Sequence, residues 1–326
     1  MNQVSVILCC YNGRSRLKPT IEHLLSQKTN FLWELVFVDN ASTDGSAEFV
    51  QDLWDEMSSG VGLRIVSEKK PGLVHARKCG VRAAKGKYII FCDDDNWLRE
   101  DYVQTAHNIM EKMPNVGVLG GQSVLASGIT PPEWWDRQQG NYAVGKQLPQ
   151  SGIANERGFL YGAGMVTRTE LAKAIFDDRF PFLKTGRKGN QCLSGEDGEY
   201  CVRVLMIGFD LYYSEDLFYW HDILPSRLTK EQLCKLLLSF EEGADIDKKY
   251  AYAMKYVKQN RLSRIGWLIV RVWKYCFASS KSRVRKKELL YFHAYLMGFV
   301  YTPDNDFDVI KRFMLYAKKH KLQIED

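Results

Sequence analysis

Between Val4 and Asp95 the chain alternates short apolar runs with stretches of helical spacing, and few folds accept that alternation. Val4–Cys10 reads as a buried strand, and Leu17–Gln27 carries Leu17, Ile21, Leu24 and Leu25 on one helical face. Trp33–Val38 reads as a second strand ending at Asp39, Ser46–Met57 as a helix, Leu63–Ser67 as a strand and Val74–Ala84 as a third helix. Tyr88–Cys92 is a further strand, and three aspartates follow it at once. Strands that alternate with helices predict an α/β fold with a doubly wound, mostly parallel sheet. Ligands of such sheets sit outside the carboxyl ends of the strands. Asp39 and Asp93 to Asp95 both fall at strand ends, so chain order alone assigns them to one edge.

The rest of the chain is organised differently. A helix is expected over Asp101–Met113, a β-like stretch over Asn115–Ser127, helices over Thr169–Phe176 and Asp197–Ile207, and a short strand at Leu211–Tyr213. Thr130–Gly152 reads as a long loop rich in Pro, Gly and Trp, and long loops in compact domains are often functional. Beyond about residue 227 the pattern turns helical and basic, with eleven Lys and Arg against one acid between Lys255 and Glu288. With 326 residues, one catalytic domain over 1–230 and a basic helical C-terminal extension over 231–326 are expected. The net charge of +6 allows a basic patch but does not argue for nucleic acid as a partner. The eight cysteines show neither metal-ligand spacing nor the setting of a disulfide framework, so reduced, mostly buried thiols are expected. No signal peptide or spanning segment is read, which makes a cytoplasmic protein the expectation.

Three segments can carry chemistry. Asp93-Asp94-Asp95 packs like charges that a hard cation such as Mg²⁺ or Mn²⁺ can neutralise, while a solvated turn or a helix cap uses the same residues. Glu196-Asp197 after Gly195 opens a helix, either as a simple dipole partner or as a general base facing the ligand edge. His221 follows an aromatic pair, Tyr219-Trp220, as a structural residue, a metal ligand or a substrate contact.

Taken together the motifs resemble family 2 glycosyltransferases of the GT-A fold. The resemblance rests on Val4–Ile7 with Tyr11-Asn12, on Val36–Ser46, on Pro71-Gly72-Leu73 with Ala76-Arg77, and on Asp93–Asp95. It continues through Gly162–Met165, Gly195-Glu196-Asp197 and His221 in the same order, covering roughly residues 3 to 230. It implies an inverting, non-processive transfer of one sugar from a nucleotide-diphosphate sugar, a UDP-sugar foremost, to an acceptor hydroxyl. It also implies a divalent Mn²⁺ or Mg²⁺ and roles for single residues. Asp39 resembles the acid that hydrogen-bonds the nucleotide base, Tyr11 a residue packing near it, and Arg77 a contact to base or phosphates. Asp94 resembles the acid near the ribose and Asp95 the metal ligand, with Asp93 as the other acid of an Asp-x-Asp reading. Asp197 resembles the catalytic base, with Glu196 as the neighbouring alternative, and His221 a residue near the metal or the leaving diphosphate.

Processive, membrane-embedded members of that family carry Gln-x-x-Arg-Trp after the base, where this chain reads Leu224-Pro225-Ser226-Arg227-Leu228. A polymerising synthase is therefore disfavoured. The rival readings are a metal-dependent sugar nucleotidyltransferase, whose Gly-rich phosphate loop is missing, and a non-catalytic nucleotide-sugar-binding protein. The Trp134-Trp135 pair stacks on a sugar or packs within its loop. Residues 261 to 300 interleave aromatics such as Trp267 and Trp273 with Arg271, Lys274 and Arg283. They form either a helix packed on the catalytic domain or one lying at a membrane surface, where a lipid-linked saccharide is the acceptor.

Overall fold

The computed structural model describes residues 2–57, 60–188, 191–258, 273 and 305–320. Strands β1 (Val4–Cys10), β2 (Trp33–Asp39), β3 (Gly62–Ser67) and β4 (Tyr88–Asp93) alternate with helices α1 (Arg14–Leu25), α2 (Ser46–Met57) and α3 (Leu73–Ala83), in the expected order. There follow β5 (Asn96–Leu98), α4 (Tyr102–Lys112), β6 (Val116–Leu125), α5 (Trp135–Gln138), β7 (Gly152–Ile153) and β8 (Val166–Arg168). Next come α6 (Thr169–Ile175), β9 (Gly186–Lys188), β10 (Gln191–Leu193), α7 (Glu196–Ile207), β11 (Asp210–His221), α8 (Lys230–Lys258) and α9 (Asn305–His320).

The main sheet runs β3-β2-β1-β4-β8-β6-β11-β5, with β7 paired to β11. β3, β2, β1 and β4 run parallel to one another, as do β6 and β11. β8 enters antiparallel between β4 and β6, and β5 and β7 run antiparallel to β11. A strand of three residues carries too little apolar periodicity to be read from sequence, so β5 and β8 were not foreseen. β11 also exceeds expectation: it runs from Asp210 to His221 instead of ending at Tyr213, because an irregularity between Tyr213 and Phe218 breaks its alternation.

The sheet is buried on both faces, and the period of two sorts its side chains. Val4, Val6, Leu8, Leu35 and Phe37 join Leu17, Ile21, Leu24, Val50 and Trp54 of α1 and α2 in one core. Ile7, Val36 and Val38 face the other way, toward Val74 and Val81 of α3 and Val204 of α7. A third cluster gathers Trp135, Tyr142, Ile223, Leu228 and Leu233. The loop tryptophans therefore pack: Trp135 is buried, and Trp134 stacks on Tyr142 with ring centres 6.1 Å apart.

Helices α8 and α9 lie against α7. Phe313 and Ala317 of α9 complete the core beneath it, and Tyr250 of α8 meets Ile310 and Met314. At this junction Arg203 of α7 is fully buried and pairs with Glu199 at 2.8 Å. Its guanidinium also donates to the carbonyls of Ile175, Phe180 and Pro181, so the buried charge is saturated with partners. Most of 261–300, including the basic aromatic stretch, lies outside the described residues. Among the described residues no helix is long and apolar enough to cross a membrane.

Candidate active site

Strand register assembles the first half of the site. Cys9 of β1 stands opposite Asp93 of β4, and Cys10 stands opposite Asp39 of β2. Tyr11, Asn40 and Asp93 to Asp95 consequently meet at one sheet edge and line a single cavity of about 580 Å³. After Asp95 the chain doubles back as β5, and Asn96 pairs with His221 at the end of β11. The amide of Asp222 donates to the carbonyl of Asp95 at 2.8 Å. This pairing sets His221 Nε2 3.4 Å from Asp95 Oδ1, so two residues far apart in sequence share one corner.

The second half comes from the start of α7. Gly195 has φ 101°, a left-handed conformation that suits glycine, and it turns the chain into the helix with Glu196 and Asp197 in the first turn. Asp197 Oδ2 accepts from the amide of Gly162 at 3.0 Å, and Oδ1 accepts from the amide of Gly198 at 2.8 Å. Each oxygen keeps a further lone pair for an incoming hydroxyl. Gly162 must be small. A Cβ there would stand 2.9 and 3.1 Å from the two terminal nitrogens of Arg77 and 3.2 Å from Asp197 Cβ.

The cavity is unbalanced in charge. Five carboxylates line it, against three guanidiniums and one imidazole. Buried Arg77 bridges the two halves, 3.6 Å from both Asp93 and Glu196, with its cation over the Phe91 ring. Arg16 pairs with Asp94 at 2.5 Å, and Arg227 with Asp95 at 3.2 Å. The surplus of carboxylates shows in their titration. Burial and the neighbouring Asp95 push Asp94 up to about 6, against the pull of Arg16. Burial and Asp197 likewise raise Glu196, against the pull of Arg77.

Of the residues singled out from sequence, Tyr11, Arg77, Asp93, Asp94, Asp95, Glu196, Asp197 and His221 all line the cavity, with Tyr11 half exposed at the rim. Asp39 does not line it. Its Oδ1 accepts from the amide of Ser42, and the adjacent Asn40 faces the cavity instead. Asn40 braces the Pro71-Gly72 turn, donating to the carbonyls of Glu68 and Lys70 and accepting from the amide of Gly72. Arg16, Arg227, Leu236 and Phe240 line the cavity unforeseen. Arg227 had been noted only as part of a departure from another motif. A lone arginine or leucine on a helix carries no local signal of where it points.

Cys9, Cys10, Cys79, Cys92, Cys201 and Cys234 are free thiols. Burial raises Cys9, Cys92 and Cys201 well beyond their ordinary range, which leaves them inert, whereas Cys234 is exposed.

Among the described residues no three acids, histidines or cysteines converge as a ready cage for a metal ion. Asp95 and His221 nonetheless offer one carboxylate and one imidazole in the corner where negative charge is in surplus. His221 Nδ1 is buried without a hydrogen-bond partner. This donor set fits a hard divalent ion that takes the rest of its shell from phosphate and water.

Residues 5–176, just over half of the chain, match the family described as Glycosyl transferase family 2. The match ends before Glu196, Asp197 and His221. The Glycosyltransferase GlyA of Streptococcus pneumoniae serotype 4 is 29% identical over 236 residues, which is 70% of this chain and 32% of GlyA. The UDP-Glc:alpha-D-GlcNAc-diphosphoundecaprenol beta-1,3-glucosyltransferase WfaP of Escherichia coli is 35% identical over 102 residues, 30% of this chain and 38% of that protein. The chain thus spans about a third of the length of these curated relatives. Among solved structures, the mannosyltransferase PcManGT from Pyrobaculum calidifontis, in complex with GDP-Man and Mn²⁺, superposes with a TM-score of 0.54 at 16% identity. That likeness covers 98% of this chain and 87% of PcManGT, and it identifies the fold as GT-A.

Proposed function

The chain belongs to glycosyl transferase family 2, and from that membership we propose that it moves one sugar from a nucleotide-diphosphate sugar to an acceptor hydroxyl, with inversion at the anomeric carbon. One observation carries the reading. The Asp93–Asp95 turn and the Glu196-Asp197 helix start line the same cavity, joined by Arg77. Transfer needs these two functions side by side: neutralisation of a departing diphosphate and removal of a proton from the attacking hydroxyl.

In this mechanism Asp197 takes the acceptor proton. Its carboxylate is already aimed by the amides of Gly162 and Gly198, so no reorientation is needed at the moment of attack. The Glu196 carboxylate is engaged by Arg77 at 3.6 Å, so we assign the base to Asp197. Asp95 and His221 would hold a divalent ion, Mn²⁺ or Mg²⁺, which when bound would supply positive charge to the leaving diphosphate. Arg227, paired with Asp95, borders the same corner and adds a fixed cation there. Asn40 and Tyr11 line the part of the cavity that we assign to the nucleoside. We assign a single displacement with Asp197 as the one base, and such a direct attack inverts the configuration.

Uridine diphosphate is the nucleotide we assign, supported by the UDP-glucose donor in the name of WfaP. The acceptor we assign is a saccharide of a cell-surface polysaccharide, free or lipid-linked, the lipid-linked form supported by the diphosphoundecaprenol-linked GlcNAc in the name of that relative. Such a reaction runs on the cytosolic side of the membrane. The test is a panel of UDP- and GDP-sugars assayed for nucleotide release with a mixture of mono- and disaccharide acceptors, in Mn²⁺ and in chelator. Acceptor-dependent release that stops in chelator is expected. Full release in chelator, or none with any donor, would sink the reading.

A further inference from the structure

The charged groups of the cavity come from elements other than α8, which contributes only apolar side chains to its lining. The apolar wall is α8, whose Leu236 and Phe240 line the cavity one helical turn apart. Leu237 is neighbour to Phe240 on the helix surface by the i, i+3 rule, and it carries the strip outward. Leu237 is 40% and Phe240 36% exposed, so the strip opens to the surface. Leu238 is more exposed still, but helical spacing turns it to the flank away from Phe240. α8 is held firmly in this position. Ser239 Oγ donates to Ser194 Oγ at 3.0 Å, and Lys184 pairs with Asp247 at 2.6 Å. The wall therefore stays with the Ser194–Asp197 segment that carries the candidate base.

An apolar strip that starts inside a catalytic cavity and ends at the surface constrains its occupant. A second protein, or a second copy of this chain, seated over Phe240 would cover the cavity mouth and shut out both substrates. The nucleotide sugar has no hydrocarbon to place there. The remaining candidate is the acceptor, whose reacting end must reach Asp197 while its other end leaves the cavity. We infer that Leu236, Phe240 and Leu237 seat the hydrocarbon chain of a lipid-linked acceptor as it leaves the active site. The inference rests on the glycosyltransferase reading of this cavity and names the acceptor class within it.

The experiment uses the full chain with two probes, methyl β-D-glucoside and octyl β-D-glucoside, titrated calorimetrically below the micelle concentration with UDP and Mn²⁺ present. Burial of part of an eight-carbon chain should make the octyl glucoside bind on the order of tenfold more tightly than the methyl glucoside. Leu237→Ser with Phe240→Ser should reduce that ratio to below about threefold, with a melting curve confirming the fold. Leu238→Ser, on the other flank, should keep the full ratio. Three results would overturn the inference: equal affinities in the unaltered protein, a ratio that survives the double substitution, or one lost equally in Leu238→Ser. A dimer by light scattering that the double substitution dissolves would also overturn it, in favour of a second copy. A separate titration of UDP with Mn²⁺ on the unaltered protein tests the underlying reading. Its failure counts against the glycosyltransferase assignment, whatever the alkyl glucosides do.

Discussion

At the scale of single residues, the site works through charge that is held but not cancelled. Asp197 has its two oxygens oriented by backbone amides, so Asp197→Asn keeps the shape and removes the proton acceptor. Turnover should fall by about a hundred- to ten-thousandfold, with UDP affinity little changed, as steady-state rates and a nucleotide titration will show. A larger loss in Glu196→Gln would exchange the two roles. Gly162 makes a different prediction, because its lack of a side chain is what lets Arg77 and Asp197 approach each other. Gly162→Ala should push them apart by a few tenths of an ångström. Misplacement near an ångström can cost about a hundredfold, so a loss of about tenfold in kcat is expected, with little change in melting temperature. Unaltered kinetics would show that the close approach is incidental.

At the scale of elements, α7 carries chemistry on one end and anchorage along its side. Glu199 lies two residues after Asp197, yet it is fully buried and serves the fold: it pairs with Arg203 and accepts from the amides of Leu183 and Lys184. The Tyr250 hydroxyl of α8 donates to Glu199 at 2.7 Å and accepts from Arg203 Nε at 3.1 Å. Tyr250→Phe removes that hydroxyl and leaves two buried charges each short of a partner. The cost should be about 1–3 kcal/mol, read from the midpoint of urea unfolding. A neutral result would mean that water enters the junction and replaces the hydroxyl.

For the whole molecule, the surplus of carboxylates in the cavity couples ligand binding to stability. On the proposed function, metal and nucleotide together would relieve the repulsion among the carboxylates that line the cavity. UDP at a hundred times its dissociation constant should stabilise the fold by about 2.7 kcal/mol, and only when Mn²⁺ is present. Asp95→Asn should lose the Mn²⁺-dependent part of that gain, because Asp95 and His221, 3.4 Å apart, are the donors we propose for the ion. Equal stabilisation by UDP in chelator would assign the charge balance to Arg16, Arg77 and Arg227 alone.

Legibility in the sequence followed the range of the interactions. From β1 to β4 the strands and helices are legible to within one residue, except that α1 starts three residues before and ends two residues before its apolar face suggests, because burial on both sheet faces writes apolar runs and helical faces into the chain. Parallel order also assigns Asp93 to Asp95 to the edge at the carboxyl ends of the strands from the sequence alone. The same local logic marked Gly195-Glu196-Asp197 as a helix start. Pairing between segments was not local and could not be read. The antiparallel entry of β8 beside β4, the β5 turn that sets His221 on Asp95, and the return of Arg227 to that same acid depend on contacts over spans of 76 to 132 residues. Tertiary structure also divided neighbours that look alike in sequence. Asp39 went to a backbone amide while Asn40 took the cavity, and Glu199 went to the core while Asp197 took the site. The physical reason is common to these cases: sequence fixes which groups need partners, and only packing decides which partners come within reach.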